Sequence, residues 1–430
     1  MAAQFFKRDR YLNKLIAFKD TDLIKVVTGI RRCGKSTLLD MMRQHLLEEG
    51  VAPSRLFTFK MESFEFSEIK DYRELYTVVR SRVGEAESPY LFFDELQNVE
   101  DWEKAINALR VDLECDIYVT GSNAFLLSSE IATLISGRYV EIRVHPLSFA
   151  EYLEFGGYRL GDNSSAAIAR GDGVVPLADL LEEYLTFGGF PYIAKSNLAE
   201  DACKEYVHSL YRTVIERDIL SRDARRGRRA ITQKGLLERI CRYLSDNISN
   251  STSINKIAGT LQGEVGGKTS NATVAAYIDA LEETYLYTKV PRYDLKGRDI
   301  LKTGGKYYIE DLGVRSYLDG YRGSDSGRVL ENAIYNQLVY EGYEVYTGHL
   351  RAGEVDFVSI GSGADRKFIQ VTESIDDRAT REREFRPLKL LTLGKVKDAS
   401  EKILIVKSGS HPSDIDGIKI VSAVDFLLGR

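Results

Sequence analysis

Residues 23–39 read LIKVVTGIRRCGKSTLL, and the order of residue types in this stretch decides how the rest of the chain is read. Ile24, Val26 and Val27 form a β-branched run that favours a strand. The run stops at Thr28-Gly29, and a charged turn leads into Gly34-Lys35-Ser36-Thr37. Apolar Leu38, Leu39, Met42 and Leu46 then recur at helical spacing. A strand, a glycine-framed loop and a helix thus surround Gly29 and Gly34-Lys35-Ser36, which meet the G-x-x-x-x-G-K-[ST] spacing in the context it requires. Backbone N–H groups of such a loop converge on phosphate oxygens, and the helix N-terminus adds positive partial charge. Gly29, Ile30, Arg31, Arg32, Cys33, Gly34, Lys35, Ser36 and Thr37 are therefore expected to cradle ATP. Lys35 would reach the β- and γ-phosphates, and the Ser36 hydroxyl would sit on Mg²⁺.

Composition narrows the class. The 430 residues suffice for about three domains. An apolar content of 43% against 29% charged supports packed cores and excludes a disordered chain. The formal charge is -5, so contact with nucleic acid would need a local basic patch. No apolar run reaches the ~20 residues of a spanning helix, and residues 1–15 mix charges into every turn. Cys33, Cys115, Cys203 and Cys241 show no CxxC spacing, which argues against disulfides and zinc and for a reducing cytoplasm without membrane attachment.

After the loop, strand and helix patterns alternate. Strands are expected at residues 55–61, 89–96, 115–122 and 139–144, with helices at 71–83, 102–113 and 123–135. Near-continuous apolar strands imply a parallel sheet covered on both faces. Four apolar residues, Tyr90 to Phe93, deliver Asp94-Glu95 to the C-terminal edge of the third strand, where such sheets bind ligand. Asp94 would help hold Mg²⁺, and Glu95 would orient or polarise the attacking water. The fourth strand ends Thr120-Gly121-Ser122-Asn123. Ser122 or Asn123 would hydrogen-bond the γ-phosphate or the water, or else cap the next helix.

Together Gly29–Thr37 (GIRRCGKST), Phe92–Gln97 (FFDELQ), Thr120–Ala124 (TGSNA) and Ser136–Tyr152 (SGRYVEIRVHPLSFAEY) resemble the AAA-type ATPases of bacteria and archaea. More narrowly, they resemble the group that joins this ATPase domain to a C-terminal region of unknown function, and the resemblance spans nearly the whole chain. It implies an additional-strand, catalytic-glutamate fold with Lys35, Ser36, Asp94 and Glu95 in the roles above. It also places a sensor-type residue at Ser122 or Asn123. Arg138 falls where such ATPases often carry an arginine that reads the γ-phosphate, in its own or a neighbouring subunit, which would make the chain a homo-oligomer.

The remainder divides into three expected segments. Residues 156–244 read as a linker rich in Gly, Ser and Asp up to Gly173, then helices that resemble the lid of related ATPases, with Arg217 a lid-sensor candidate. Within them Arg222–Arg229 is the most basic stretch, able to contact phosphates or to remain a solvated loop. Residues 245–300 suggest a helix-turn-helix beginning at Ser253 and Ser270, with a wing near Tyr287–Arg292. Lys268, Thr269, Ser270, Asn271 and Thr273 could donate to DNA phosphates or base edges, but this recognition-helix candidate lacks arginine, and the segment could instead serve only as interdomain packing. Residues 301–430 resemble a restriction-endonuclease-like core in which Glu331, Asp356 and Gln370 would gather a second metal. The lysine that such nucleases carry two residues after the last ligand is here Thr372, with Lys367 or Lys389 as spatial substitutes.

The fold class expected is thus α/β: a P-loop parallel sheet (1–155), a helical lid, a winged-helix segment and an α/β nuclease-like domain. An ATP-hydrolysing switch acting with DNA leads. An ATP-gated metal nuclease and a nucleotide-bound scaffold without turnover are the alternatives.

Overall fold

The computed structural model describes residues 8–124, 137–161, 166–168, 173–196, 198–220, 231, 233–265, 269–297, 299–320, 325–350, 353–363, 365–393 and 398–430. They group into two compact units, Met1–His145 with Glu283–Tyr285, and Pro146–Glu282 with Leu286–Arg430.

The first unit is built on strands β1 (Ile24–Thr28), β2 (Leu56–Lys60), β3 (Tyr90–Asp94), β4 (Asp116–Thr120) and β5 (Tyr139–Arg143). All pair in parallel, in the order β2-β3-β4-β1-β5. Strand β4 therefore separates the strand that carries the acids from the strand that feeds the loop. Every residue of β1 and β4 is buried, including Lys25 and Asp116, which pair with each other, so the strands read as near-continuous apolar runs. Helices α1 (Asp9–Ala17), α2 (Lys35–Glu48), α3 (Tyr72–Val83) and α4 (Trp102–Asp112) complete the unit. Asp71 starts α3 by accepting the backbone N–H groups of Arg73 and Glu74, which satisfies donors that the first turn leaves free. Leu75 and Val79 of α3 and Trp102, Ile106 and Leu109 of α4 pack on Val26, Phe59, Phe93 and Val119 of the sheet. Phe59 stacks on Phe93 at 5.0 Å between ring centroids, so Phe93→Ala would cost about 3–5 kcal/mol. The expected elements form, trimmed by a residue or two at their ends. The helix expected at 123–135 lies, beyond Ala124, outside the described residues.

In the second unit the stretch expected as a linker holds short strands β6 (Arg159–Leu160), β7 (Ala166–Ile168) and β8 (Val174–Pro176), paired as an antiparallel meander. Small and β-branched residues between the glycines suffice for this pairing, a signal the Gly/Ser/Asp composition masks. Helices Leu177–Phe187 and Pro191–Ser196 follow, separated at Gly188-Gly189. A Cβ on Gly188 would lie 2.1 Å from Asp311 Oδ1, and Asp311 Oδ2 accepts the Gly189 N–H at 2.7 Å. Arg222–Arg229 lies outside the described residues.

An eight-stranded sheet carries the C-terminal half. Its strands are β9 (Tyr287–Asp294), β10 (Asp299–Ile309), β11 (Glu344–Leu350), β12 (Gly353–Ile360), β13 (Arg366–Thr372), β14 (Glu401–Val406), β15 (Asp414–Ile415) and β16 (Ile418–Ser422). The order is β10-β9-β11-β12-β13-β14-β16-β15. The segment expected as a wing is β9, paired antiparallel with β10 and parallel with β11, because Tyr287 and Val290 bury into this sheet. Residue 301, where the sequence reading begins a new domain, falls inside β10. Among the described residues no helix is long and apolar enough to cross a membrane.

Candidate functional site

The loop after β1 takes its shape from backbone that only particular residues tolerate. A Cβ on Gly29 would approach the Val144 carbonyl oxygen to 2.1 Å, so no larger residue fits. Arg32 (φ +68) and Gly34 (φ +108) turn through the left-handed region to aim the first turn of α2. Ile30 and Cys33 point into the core and anchor the loop from below. Arg8 holds it from the side, donating to the Cys33 carbonyl at 3.0 Å and the His145 carbonyl at 2.9 Å. The buried Lys35 ammonium donates to the carbonyls of Gly29 (3.0 Å) and Ile30 (3.1 Å), which keeps it over the loop. Arg31 lies 3.6 Å from Glu62, while Arg32 and Thr37 are exposed.

Ser36 and Asp94 meet although 58 residues separate them. The Ser36 hydroxyl donates to Asp94 Oδ1 at 2.8 Å. Thr120 Oγ1 donates to the same oxygen at 2.6 Å and accepts the Glu95 N–H at 2.9 Å. One hydroxyl on β4 thus fixes both acids that end β3. Glu95 sits in the left-handed region (φ +57) and is 8% exposed. This costs on the order of 1 kcal/mol and turns its side chain along the sheet edge. Its Oε2 accepts from Ser122 Oγ at 3.3 Å and from Gln97 Nε2. Ser122 and Asn123 are buried beside it. A hydroxyl and a carboxylate facing each other beside the loop are the hard oxygen donors that suit Mg²⁺.

Arg138 is not brought to this cluster. It precedes β5, whose first residue pairs with Ile24, and its guanidinium reaches Asn107 at 3.2 Å. Parallel register therefore puts Arg138 at the edge opposite the loop, roughly 15 Å away along the strand. That excludes a role at the phosphates of its own chain.

In the second unit the helix Ser326–Tyr340 and strands β12 and β13 bring Glu331, Asp356 and Gln370 into one neighbourhood. Lys306 of β10 lies among the acids, with Nζ 2.9 Å from Glu331, 2.9 Å from Glu354 and 3.5 Å from Asp356. Burial alone would strip the Lys306 proton, but these carboxylates reverse that and hold its pKa above the ordinary lysine range. Burial, then the neighbouring Glu331, pushes Asp356 up to about 8. Gln370 donates to Glu384 at 2.9 Å and accepts the Asp356 N–H at 3.4 Å. Neither expected substitute lysine is here: Lys367 reaches Tyr343 and Lys389 pairs with Asp416. Among the described residues no group of three His, Cys, Asp or Glu has metal-holding geometry.

The helix-turn-helix candidates largely bond to one another. Ser270 Oγ accepts the Thr273 N–H, Asn271 donates to Asn255, and Gln262 donates to the Thr269 carbonyl. Lys268 lies outside the described residues.

Residues 21–153 match the AAA domain family, and residues 178–325 match a domain of unknown function. An uncharacterized Haemophilus influenzae protein is 36% identical over 430 residues, end to end in both chains. The chain belongs to that protein's family, an AAA-domain family. A second relative, an uncharacterized protein of Methanocaldococcus jannaschii, is 28% identical over 390 residues, covering 88% of this chain and 81% of that one. Among solved structures, the Walker-type ATPase of Pyrococcus abyssi is similar at 15% identity with a TM-score of 0.49, covering 73% of this chain and 96% of that chain.

Sequence reading missed Thr120, Gln97, Arg8 and Lys306. Thr120 and Gln97 lie inside stretches that were singled out, but only the strand order shows what they touch. Arg8 and Lys306 act from distant chain positions and carry no motif.

Proposed function

We propose that this chain binds ATP with Mg²⁺ and hydrolyses it. The observation that carries the reading is the 2.8 Å contact between Ser36 and Asp94, with Glu95 next in sequence and buried at the same edge. Residues 29–37 hold the phosphates, and Lys35 leaves its carbonyl partners for the β- and γ-phosphates. Ser36 and Asp94 hold the metal, which when bound neutralises charge on the phosphates. Glu95 accepts a proton from water as the water oxygen bonds to the γ-phosphorus. The bond to the β–γ bridging oxygen breaks, leaving ADP and phosphate. Ser122 or Asn123 senses the γ-phosphate.

Arg138 serves the site of a neighbouring copy in a homo-oligomer, which its position at the far sheet edge supports. Gly29 packs on the Val144 carbonyl, and the chain leaves the first unit after His145. We take that joint to pass nucleotide state to the lid (156–244), winged-helix (245–300) and C-terminal (301–430) segments in the cytoplasm. The C-terminal segment is a nuclease-like fold kept as a binding module, a reading supported by Lys306 standing among its acids.

The test is phosphate release with Mg·ATP, with and without DNA. Turnover lost in Glu95→Gln, with ATP binding retained, is the expected result. Tight ATP retention without turnover would favour the scaffold. Mn²⁺-dependent cutting of nucleic acid lost in Asp356→Ala would favour the nuclease.

A further inference from the structure

We propose that Gln97 is a catalytic residue of the site, an inference that rests on the hydrolase reading above. Its amide oxygen receives one hydrogen of the attacking water while Glu95 takes the other as a proton.

The geometry begins with chain direction. Glu95 turns through φ +57 into the 3₁₀ turn Leu96–Asn98, which brings the Gln97 side chain back beside the Glu95 carboxylate. An ionised carboxylate only accepts hydrogen bonds, so the Gln97 NH₂ must face it and Oε1 must face away. Ser122 closes the arrangement: its hydroxyl donates to Glu95 Oε2 at 3.3 Å and lies 3.4 Å from Gln97 Nε2. The carboxylate and the hydroxyl together fix the plane of the amide. Oε1, left on the other side, is shut off from solvent and has no hydrogen-bond partner among the described residues.

An unmet buried acceptor costs about 1–3 kcal/mol, and native proteins keep few of them. Here the orphan shares one side chain with the donor that positions the acid. A water beside Glu95 offers two hydrogens, and Glu95 can remove only one. A second fixed acceptor orients the oxygen lone pair along the line of attack, as a positioned glutamine does in phosphoryl transfer. The step balances: one O–H bond of water breaks to Glu95, the other stays intact and hydrogen-bonded to Oε1. The new P–O bond replaces the β–γ link.

The experiment compares full-length wild type, Gln97→Ala and Gln97→Glu for kcat, KM, ATP binding and the pH dependence of kcat. Gln97→Ala should lower kcat about 10- to 100-fold, with KM and binding within roughly twofold. Gln97→Glu places a like charge beside Glu95, so the acidic limb of its profile should move up by about one pH unit or more. Bound ATP in each variant shows that the loop has folded. Unchanged or faster turnover in Gln97→Ala, a change confined to KM, or an unmoved acidic limb in Gln97→Glu would overturn the role of Gln97 alone. A wild type that neither binds nor turns over ATP would overturn both this role and the hydrolase reading.

Discussion

Each unit gathers carboxylates, at the end of β3 in the first and between a helix and β12 in the second, and the two sets have different partners. In the first, Asp94 and Glu95 have as partners three hydroxyls and a side-chain amide. In the second, Glu331, Glu354 and Asp356 surround the buried ammonium of Lys306. Neutral donors orient an acid without cancelling its charge, which leaves a carboxylate able to attract a cation. An ammonium cancels it from within the fold. The kind of partner, more than the number of acids, separates a reactive cluster from a structural one.

The largest effect should come from the reactive set. Glu95→Gln should slow ATP turnover about 10²–10⁴-fold while binding persists, read by phosphate release beside nucleotide titration. Equal rates in variant and wild type would erase the distinction between the clusters.

Next is the structural set. Lys306→Met leaves Glu331 and Glu354 facing a buried space without their cation, and should destabilise the second unit by about 3–5 kcal/mol. Thermal unfolding followed by circular dichroism reads this, and ATP binding should not change. A neutral or stabilising outcome would show that the ammonium is not what balances these acids.

Asp311 is an intermediate case, an acid held by backbone N–H groups alone. Burial pushes it up to about 7, against the accepting bonds from Gly189 and Gly313 that pull it down. The folded chain then keeps a proton that the unfolded chain releases near pH 4. The stability this contributes is fully present below about pH 4 and is lost as pH rises to 7, on the order of 3–4 kcal/mol. Thermal midpoints from pH 5 to 8 should fall in wild type and flatten in Asp311→Asn. A flat wild-type profile would place Asp311 with the ordinary surface acids.

The smallest change is Thr120→Val. It removes one hydroxyl shared by Asp94 and the Glu95 N–H, costing about 1 kcal/mol of stability and a modest part of kcat. A kcat loss as large as that of Glu95→Gln would move Thr120 from support to chemistry.

The first unit was the more legible from sequence, for physical reasons. Parallel strands buried on both faces leave near-continuous apolar runs, and a loop that must pass Gly29 under a carbonyl leaves its glycine spacing in the chain. The acids that follow Phe93 could be read the same way. Strand order could not be, since local sequence does not say that β4 inserts beside β1, and Thr120 and Arg138 take their meaning from that insertion. In the second unit β9 reads locally as half of a hairpin, whereas a third strand, β11, claims its other edge. Lys306 stayed hidden because nothing near it in the chain marks the acids it meets.

Trp102, packed against the sheet of the first unit at 2% exposure, is the chain's single tryptophan. Fluorescence excited at the red edge of the absorption band, beyond the reach of the 25 tyrosines, therefore comes from the first unit alone. Melting of that half can be watched by fluorescence while the backbone signal follows both, so a lesion in either half can be assigned without cutting the polypeptide.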